Sequence, residues 1–227
     1  MQRKVFIAIP TLNGKLAAQT QSALNSIQLE CAGLGWDVEE FRWIGDSLIV
    51  HARNVCAAKF LETDCTDLFW LDSDVGFAPG VFTRLMSHRV DFVAGVYRVK
   101  LDEERYAVRW LDTPELWADP ATGLLEAQDV PLGCVRMSRS VVEKMRDSMP
   151  DDWFTAQGGA NGLKCWLMFN TEIVDHQFWG EDFYFCRKWR ELGGKVWIDP
   201  ELPLAHVDGE GKVYAGHLGN FLRSKIQ

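Results

Sequence analysis

Asp67-Leu68-Phe69-Trp70-Leu71-Asp72-Ser73-Asp74 decides the reading of this chain. Its dense apolar run without alternation is the pattern of a short strand buried on both faces, and it stops abruptly at two carboxylates. In an open α/β sheet, ligands bind beyond the carboxyl ends of the strands. Asp72 and Asp74 are therefore expected to face a cleft. Taken alone, the same tripeptide also serves as a turn and helix cap before Pro79.

Working outward, the first hundred residues alternate strand and helix signals. Val5 to Ile9 reads as a strand, broken by the turn chemistry of Pro10-Thr11-Leu12-Asn13-Gly14. Leu16 to Leu29 has helical composition; Gly33 and Gly35 end it before a second strand at Trp36 to Trp43. Asp46 or Ser47 is positioned to cap a helix in which Ile49, Ala52, Val55, Cys56 and Phe60 share a face and which carries Arg53 and Asn54. Pro79 opens a helix to about His88, and Phe92 to Val96 reads as a fourth strand. The alternation predicts an α/β fold with a parallel sheet and crossover helices.

Tyr97 to Asp129 is irregular and punctuated by Pro114, Pro120 and Gly123, which predicts a loop-rich excursion or small hairpins suited to binding. Regularity returns at Pro131 to Met137, followed by a helix from Ser138 to Arg146. A second loop-rich stretch from Pro150 to Trp179 precedes a helix beginning at Glu181. Gly193-Gly194 stops that helix, and Lys195 to Ile198 reads as the last clear strand.

The chain has 227 residues, 47% of them hydrophobic, enough for one substantial core. A net charge of −8 gives no help to nonspecific duplex binding, leaving only a local basic groove for nucleic acid. The six cysteines have neither zinc-ligand nor disulfide-framework spacing, so reduced thiols and a cytoplasmic location are expected. No apolar run approaches the ~20 residues of a membrane span.

Three further stretches carry chemistry. Trp179-Gly180-Glu181-Asp182 opens a helix; its carboxylates suit the positive end of the helix dipole, and one of them would equally serve as a general base. His206 follows the final strand, either as a structural histidine or as a ligand to Mn²⁺ or Mg²⁺ alongside carboxylate oxygens. Beside it, Asp208, Gly209, Glu210, Gly211 and Lys212 form a loop able to close over a diphosphate. Pro10, Thr11 and Asn13 leave the first strand at the sheet edge shared by Asp72, as a turn or as a nucleotide contact.

In this order the motifs resemble the GT-A glycosyltransferases, in particular the family 2-like and phage-type members. Ile9-Pro10-Thr11, then Ala52-Arg53-Asn54, then Leu71-Asp72-Ser73-Asp74-Val75-Gly76-Phe77 is similar to that family's nucleotide-binding half. Leu132 to Met137 resembles its acceptor-side strand, and Gly180-Glu181-Asp182 its E-D segment. The resemblance implies one GT-A domain over 1–227 with a mixed, mostly parallel sheet. Residues to about 100 would bind the nucleotide sugar and the remainder the acceptor. It implies Asp74, His206 and Asp72 around Mn²⁺ or Mg²⁺, with Asp182 as base beside Glu181. Pro10, Thr11, Asn13, Arg53, Asn54, Asp72, Ser73, Trp179, Gly180 and Lys212 would hold the donor, a UDP-sugar by preference. The acceptor is a hydroxyl of a glycan or a modified nucleobase, in the cytoplasm of a host if the chain is phage-encoded. No Q-x-x-R-W signature is present, which argues against a processive synthase. A nucleotidyltransferase would normally carry a richer Gly and Lys loop than Gly14-Lys15 after the first strand. A carbohydrate-binding protein without turnover is the nonenzymatic alternative.

Overall fold

A computed structural model describes residues 2–156 and 162–225. The first part alternates through β1 (Lys4–Thr11), α1 (Ala18–Leu34), β2 (Asp37–Ile44), α2 (Ile49–Glu62), β3 (Asp67–Leu71), β4 (Val75–Phe77), α3 (Val81–Ser87) and β5 (Phe92–Ala94). The excursion holds β6 (Arg109–Trp110), β7 (Leu125–Asp129), β8 (Cys134–Ser138) and α4 (Arg139–Asp147). Four short strands follow as two antiparallel pairs, β9 (Trp153–Thr155) with β10 (Lys164–Trp166) and β11 (Glu172–Val174) with β12 (Gln177–Trp179). The chain then forms α5 (Glu181–Glu191), β13 (Val196–Ile198), β14 (Pro203–Val207), β15 (Val213–His217) and α6 (Leu218–Lys225). Of the loop-rich stretch expected from Pro150 to Trp179, residues 157–161 lie outside the described residues.

The main sheet has eight strands in the order β2-β1-β3-β8-β5-β13-β7-β6. β1 is parallel to β2 and β3, and β13 to β5, whereas β8 and β7 run antiparallel to their neighbours. The sheet is thus mixed, most strands pointing one way. Its central strands are apolar on both faces because both faces are covered: Phe6, Ala8, Leu68 and Trp70 pack with residues of α2, α4 and α5, while Val5, Ile7, Ile9, Phe69 and Leu71 pack with α1 and α3.

Several local expectations change. Pro79 does not open a helix; α3 starts at Val81 after Gly80, whose φ of 90° suits glycine. Neither Asp46 nor Ser47 caps α2, because the N-cap residue is Leu48. Asp46 instead accepts from the Leu48 N–H at 2.9 Å and from Trp43 Nε1 at 2.9 Å, fixing the approach to the helix. Strand β13 is not the last. β14 pairs antiparallel with β15 and with β4, forming a separate three-stranded sheet. That small sheet begins immediately after Asp74, and its β14 carries His206. Among the described residues no helix is long and apolar enough to cross a membrane.

Candidate active site

The Asp72-Ser73-Asp74 segment is the turn between β3 and β4, closed by Val75 N–H donating to Asp72 O at 3.1 Å. Ala17 N–H donates to Ser73 O at 2.9 Å, anchoring the turn to the residue before α1. Register does the next step. His206 lies opposite Val75 in the β14–β4 pair, and Val207 N–H donates to Asp74 O at 2.8 Å. The His206 Nε2 consequently sits 3.5 Å from Asp74 Oδ2.

The histidine is oriented from behind. Its Nδ1 lies 3.0 Å from the Arg98 carbonyl, which can only accept, so that nitrogen carries the hydrogen. With Nδ1 committed to that carbonyl, Nε2 is the ring nitrogen that faces Asp74 and the one left to ligate a metal. The Tyr97 ring packs edge-on against His206 at 4.7 Å. Lys100 Nζ donates to the same Asp74 oxygen at 2.5 Å. Burial opposes ionisation of Asp74, but His206 and Lys100 together hold its carboxyl below the usual range.

Asp72 is taken up differently. Both its oxygens accept from Arg53 Nη2, at 3.0 and 3.1 Å. Arg53 is only 3% exposed and donates from Nε to Glu181 Oε1 at 3.1 Å, so one guanidinium on α2 joins the end of β3 to the start of α5. Burial raises the Asp72 carboxyl, opposed by Arg53. Asp182, next to Glu181 in the first turn of α5, accepts its own Phe183 N–H at 2.8 Å. Burial, then the neighbouring Glu181 charge, pushes the Asp182 carboxyl up to about 6. Tyr97 is buried among Asp72, Arg53, Asp182 and Asp74, and burial followed by the Asp72 charge lifts its phenol well above the ordinary value. The backbone closes this arrangement at Gly133, whose N–H donates to Tyr97 Oη at 3.2 Å and whose carbonyl accepts from Asp72 N at 2.9 Å.

A cleft of about 290 Å³ opens beside this cluster, lined by Pro10, Thr11, Asp46, Ile49, Asp72 and Asp74 among others. Ser73 also lines it, whereas Asn13, Trp179 and Lys212 do not. Asn13 Oδ1 accepts from Lys15 N at 3.0 Å within its own turn. Trp179 is buried, with the guanidinium carbons of Arg109 and Arg187 at 4.2 and 5.0 Å from its ring. Gly180 is the N-cap residue of α5, directly before the acidic pair. Lys212 donates to Asp102 at 2.5 Å on an exposed turn.

Two of the expected site residues are engaged by other parts of the chain. Asn54 faces inward with no exposure; its amide donates to Val50 O and Phe169 O, and its carbonyl accepts from Phe169 N at 3.0 Å. With these bonds made, it braces α2 against the backbone at Phe169. Both Asp72 oxygens accept from Arg53, so this carboxylate is engaged by an arginine, whereas its metal role stays an expectation of the resemblance. Among the described residues no three His, Cys, Asp or Glu side chains gather closely enough to hold a metal ion. What fits a cation is the pair Asp74 and His206, a carboxylate and a correctly oriented imidazole. The sequence reading missed Tyr97, whose signal was its place just after a strand, and Lys100, for which the sequence offers none.

No protein-family model matches the chain, and no curated protein matches it by sequence. Solved structures do. A197 from STIV superposes with a TM-score of 0.57 at 18% identity, covering 94% of this chain and 93% of its own. GalNAc-T7, determined with UDP, GalNAc and Mn²⁺, superposes with a TM-score of 0.54 at 13% identity over 91% of this chain. This chain spans 43% of the GalNAc-T7 chain's length. A glycosyltransferase involved in glycosylation of the major capsid of PBCV-1 aligns with a TM-score of 0.34, too low to bear on the fold. The mixed sheet, its helical cover and these superpositions together identify the architecture of this chain as GT-A-like.

Proposed function

We propose that this chain is a glycosyltransferase that takes a sugar from a nucleoside diphosphate donor, a UDP-sugar in the first instance, and passes it to an acceptor hydroxyl. One observation carries the reading: Arg53 joins Asp72 to Glu181, gathering carboxylates from the end of β3 and the start of α5 beside a cleft rimmed by β1. The GalNAc-T7 structure with UDP and Mn²⁺ supports the donor class and the cation.

On this reading, Asp74 and His206 would hold a divalent cation, Mn²⁺ or Mg²⁺, which would supply Lewis-acid stabilisation to a departing diphosphate. The protein's own residues divide the remaining work. Thr11, Ser73 and Asp72 contact the nucleotide in the cleft, and Arg53 keeps the Asp72 and Glu181 carboxylates in place. Asp182 accepts the proton of the attacking hydroxyl. A carboxyl near 6 is mostly ionised at neutral pH, yet more basic than an exposed aspartate. Direct attack inverts the anomeric centre. Residues to about 100 furnish most of the donor site and later residues the base, all in one domain. We assign the cytoplasm as the compartment, in keeping with six buried, unpaired cysteines.

Incubating the protein with a panel of nucleotide sugars and Mn²⁺ tests this assignment. Slow release of nucleoside diphosphate from one donor is the expected result. Release of pyrophosphate would identify a nucleotidyltransferase, and binding without release a carbohydrate-binding protein.

A further inference from the structure

Two side chains meet at the Asp74 carboxylate, and one of them has no part in the function proposed so far. Lys100 Nζ and His206 Nε2 converge on the same oxygen, Asp74 Oδ2, at 2.5 and 3.5 Å. We propose that Lys100 is the protein's own occupant of the cation position on Asp74, competing with a divalent ion for that carboxylate and leaving it when the ion and the donor diphosphate bind together. The inference rests on the glycosyltransferase reading for its ligand.

The backbone of Lys100 is held by its neighbours, while its side chain is a rotatable stem that meets the protein at Asp74. Arg98 and Tyr106 bridge antiparallel, and Val99 N–H donates to Arg105 O at 3.0 Å, so the segment doubles back on itself. Arg98 Nη2 donates to Leu101 O at 2.9 Å, and Lys212 reaches across from the β14–β15 turn to Asp102. The same segment supplies the Arg98 carbonyl that orients His206. Against this frame the Lys100 side chain is 32% exposed on an unbranched, rotatable stem.

Charge then sets the consequence. Asp74 Oδ2 is a partly buried carboxylate oxygen and needs a cation beside it. In the free protein the ammonium fills that need. A divalent ion on the same oxygen would repel the ammonium at contact distance, so the two cannot share it. A displaced Lys100 regains a partner only if an anion arrives with the ion, and the diphosphate is such an anion. Cation and nucleoside diphosphate should therefore strengthen one another's binding, reciprocally.

Calorimetric titration of Mn²⁺ into the protein, with and without UDP, tests this in wild type, Lys100→Met and Lys100→Arg. In Lys100→Met, Mn²⁺ alone should bind about tenfold more tightly than in wild type, the equivalent of one charge-assisted hydrogen bond. The enhancement of Mn²⁺ affinity by UDP should shrink by a similar factor. Lys100→Arg, which keeps the charge, should behave like wild type. Mn²⁺ binding detectable only in Lys100→Met also supports the competition. Equal or weaker Mn²⁺ binding by Lys100→Met, with Tm within a degree or two of wild type, overturns the Lys100 proposal and leaves the glycosyltransferase reading standing. If no protein binds either Mn²⁺ or UDP, both fall.

Discussion

Arg53 Nε lies 3.1 Å from Glu181 Oε1, across 128 residues of chain, and the same guanidinium holds Asp72. That contact is the hinge of the site: α2 supplies a buried cation, and the ends of β3 and α5 supply its two anions. Arg53→Ala would leave Asp72 and Glu181 facing each other without compensation. It should cost about 3 kcal/mol of stability. Lys cannot reach both carboxylates as a fork does, so Arg53→Lys should also unfold earlier and bind UDP poorly. Chemical denaturation of the two variants checks this; a Lys variant equal to wild type in both respects would show that Arg53 is not the connector.

Asp182 links stability to pH with a definite sign. Its folded carboxyl sits at about 6, above the ordinary 3.8, so between those values the native state binds more protons than the unfolded chain. Its contribution therefore declines as pH rises through that window and stays low above it. Asp182→Asn removes the penalty and should stabilise the protein by on the order of 2 kcal/mol at pH 7.5, with little change near pH 4. The same variant should lose transfer while retaining UDP. Thermal melts at the two pH values read the first effect, donor turnover the second.

In the wild type, turnover should rise with pH through about 6 as Asp182 loses its proton. Burial raises it most and the Glu181 charge next, so Glu181→Gln should move this acid limb to lower pH even though it also weakens the hold on Arg53. A pH–rate profile with an unmoved limb would assign the titration to another group.

Gly133 is irreplaceable for steric reasons. A Cβ there would lie 2.5 Å from Tyr97 Oη and 2.6 Å from Asp72 Oδ2, which are held in place by Arg53 and by the surrounding core. Gly133→Ala should lower Tm and abolish UDP binding. Unchanged nucleotide affinity in this variant would mean that Asp72 is not in contact with the donor.

Asn54→Ala separates bracing from binding. Phe169 would lose its partners for both backbone N–H and C=O, at a cost of about 2 kcal/mol. The apparent KM for the donor should stay within twofold of wild type at a temperature where both are folded. A large rise in KM with normal Tm would return Asn54 to the nucleotide site.

Much of this arrangement was legible because it is local. Asp67 to Leu71 announced a strand buried on both faces, and Glu181 announced a helix start; both boundaries agree with the structure. The mixed, mostly parallel sheet that the resemblance implied is present, although periodicity alone does not tell direction, since a fully buried strand such as β8 has the same apolar pattern whichever way it runs. Strands β14 and β15 were invisible for a related reason. Pro203 to Val207 has no long apolar signal, and becomes a strand only through β4 on one side and β15 on the other. Arg53 was found as a candidate, but its two partners come from distant segments, so its bridging role needed the fold. Lys100 had no local signature at all. The inward turn of Asn54 depends on Phe169, 115 residues away.

The account is tested most directly by crystals of the wild-type protein grown with UDP and Mn²⁺ and measured for manganese anomalous scattering. It predicts one strong peak coordinated by the Asp74 carboxylate and His206 Nε2, with the UDP diphosphate completing the shell and the nucleoside in the cleft beside Thr11. A peak remote from both residues, or UDP seated elsewhere while Asp74 and His206 stay paired with each other, would contradict it.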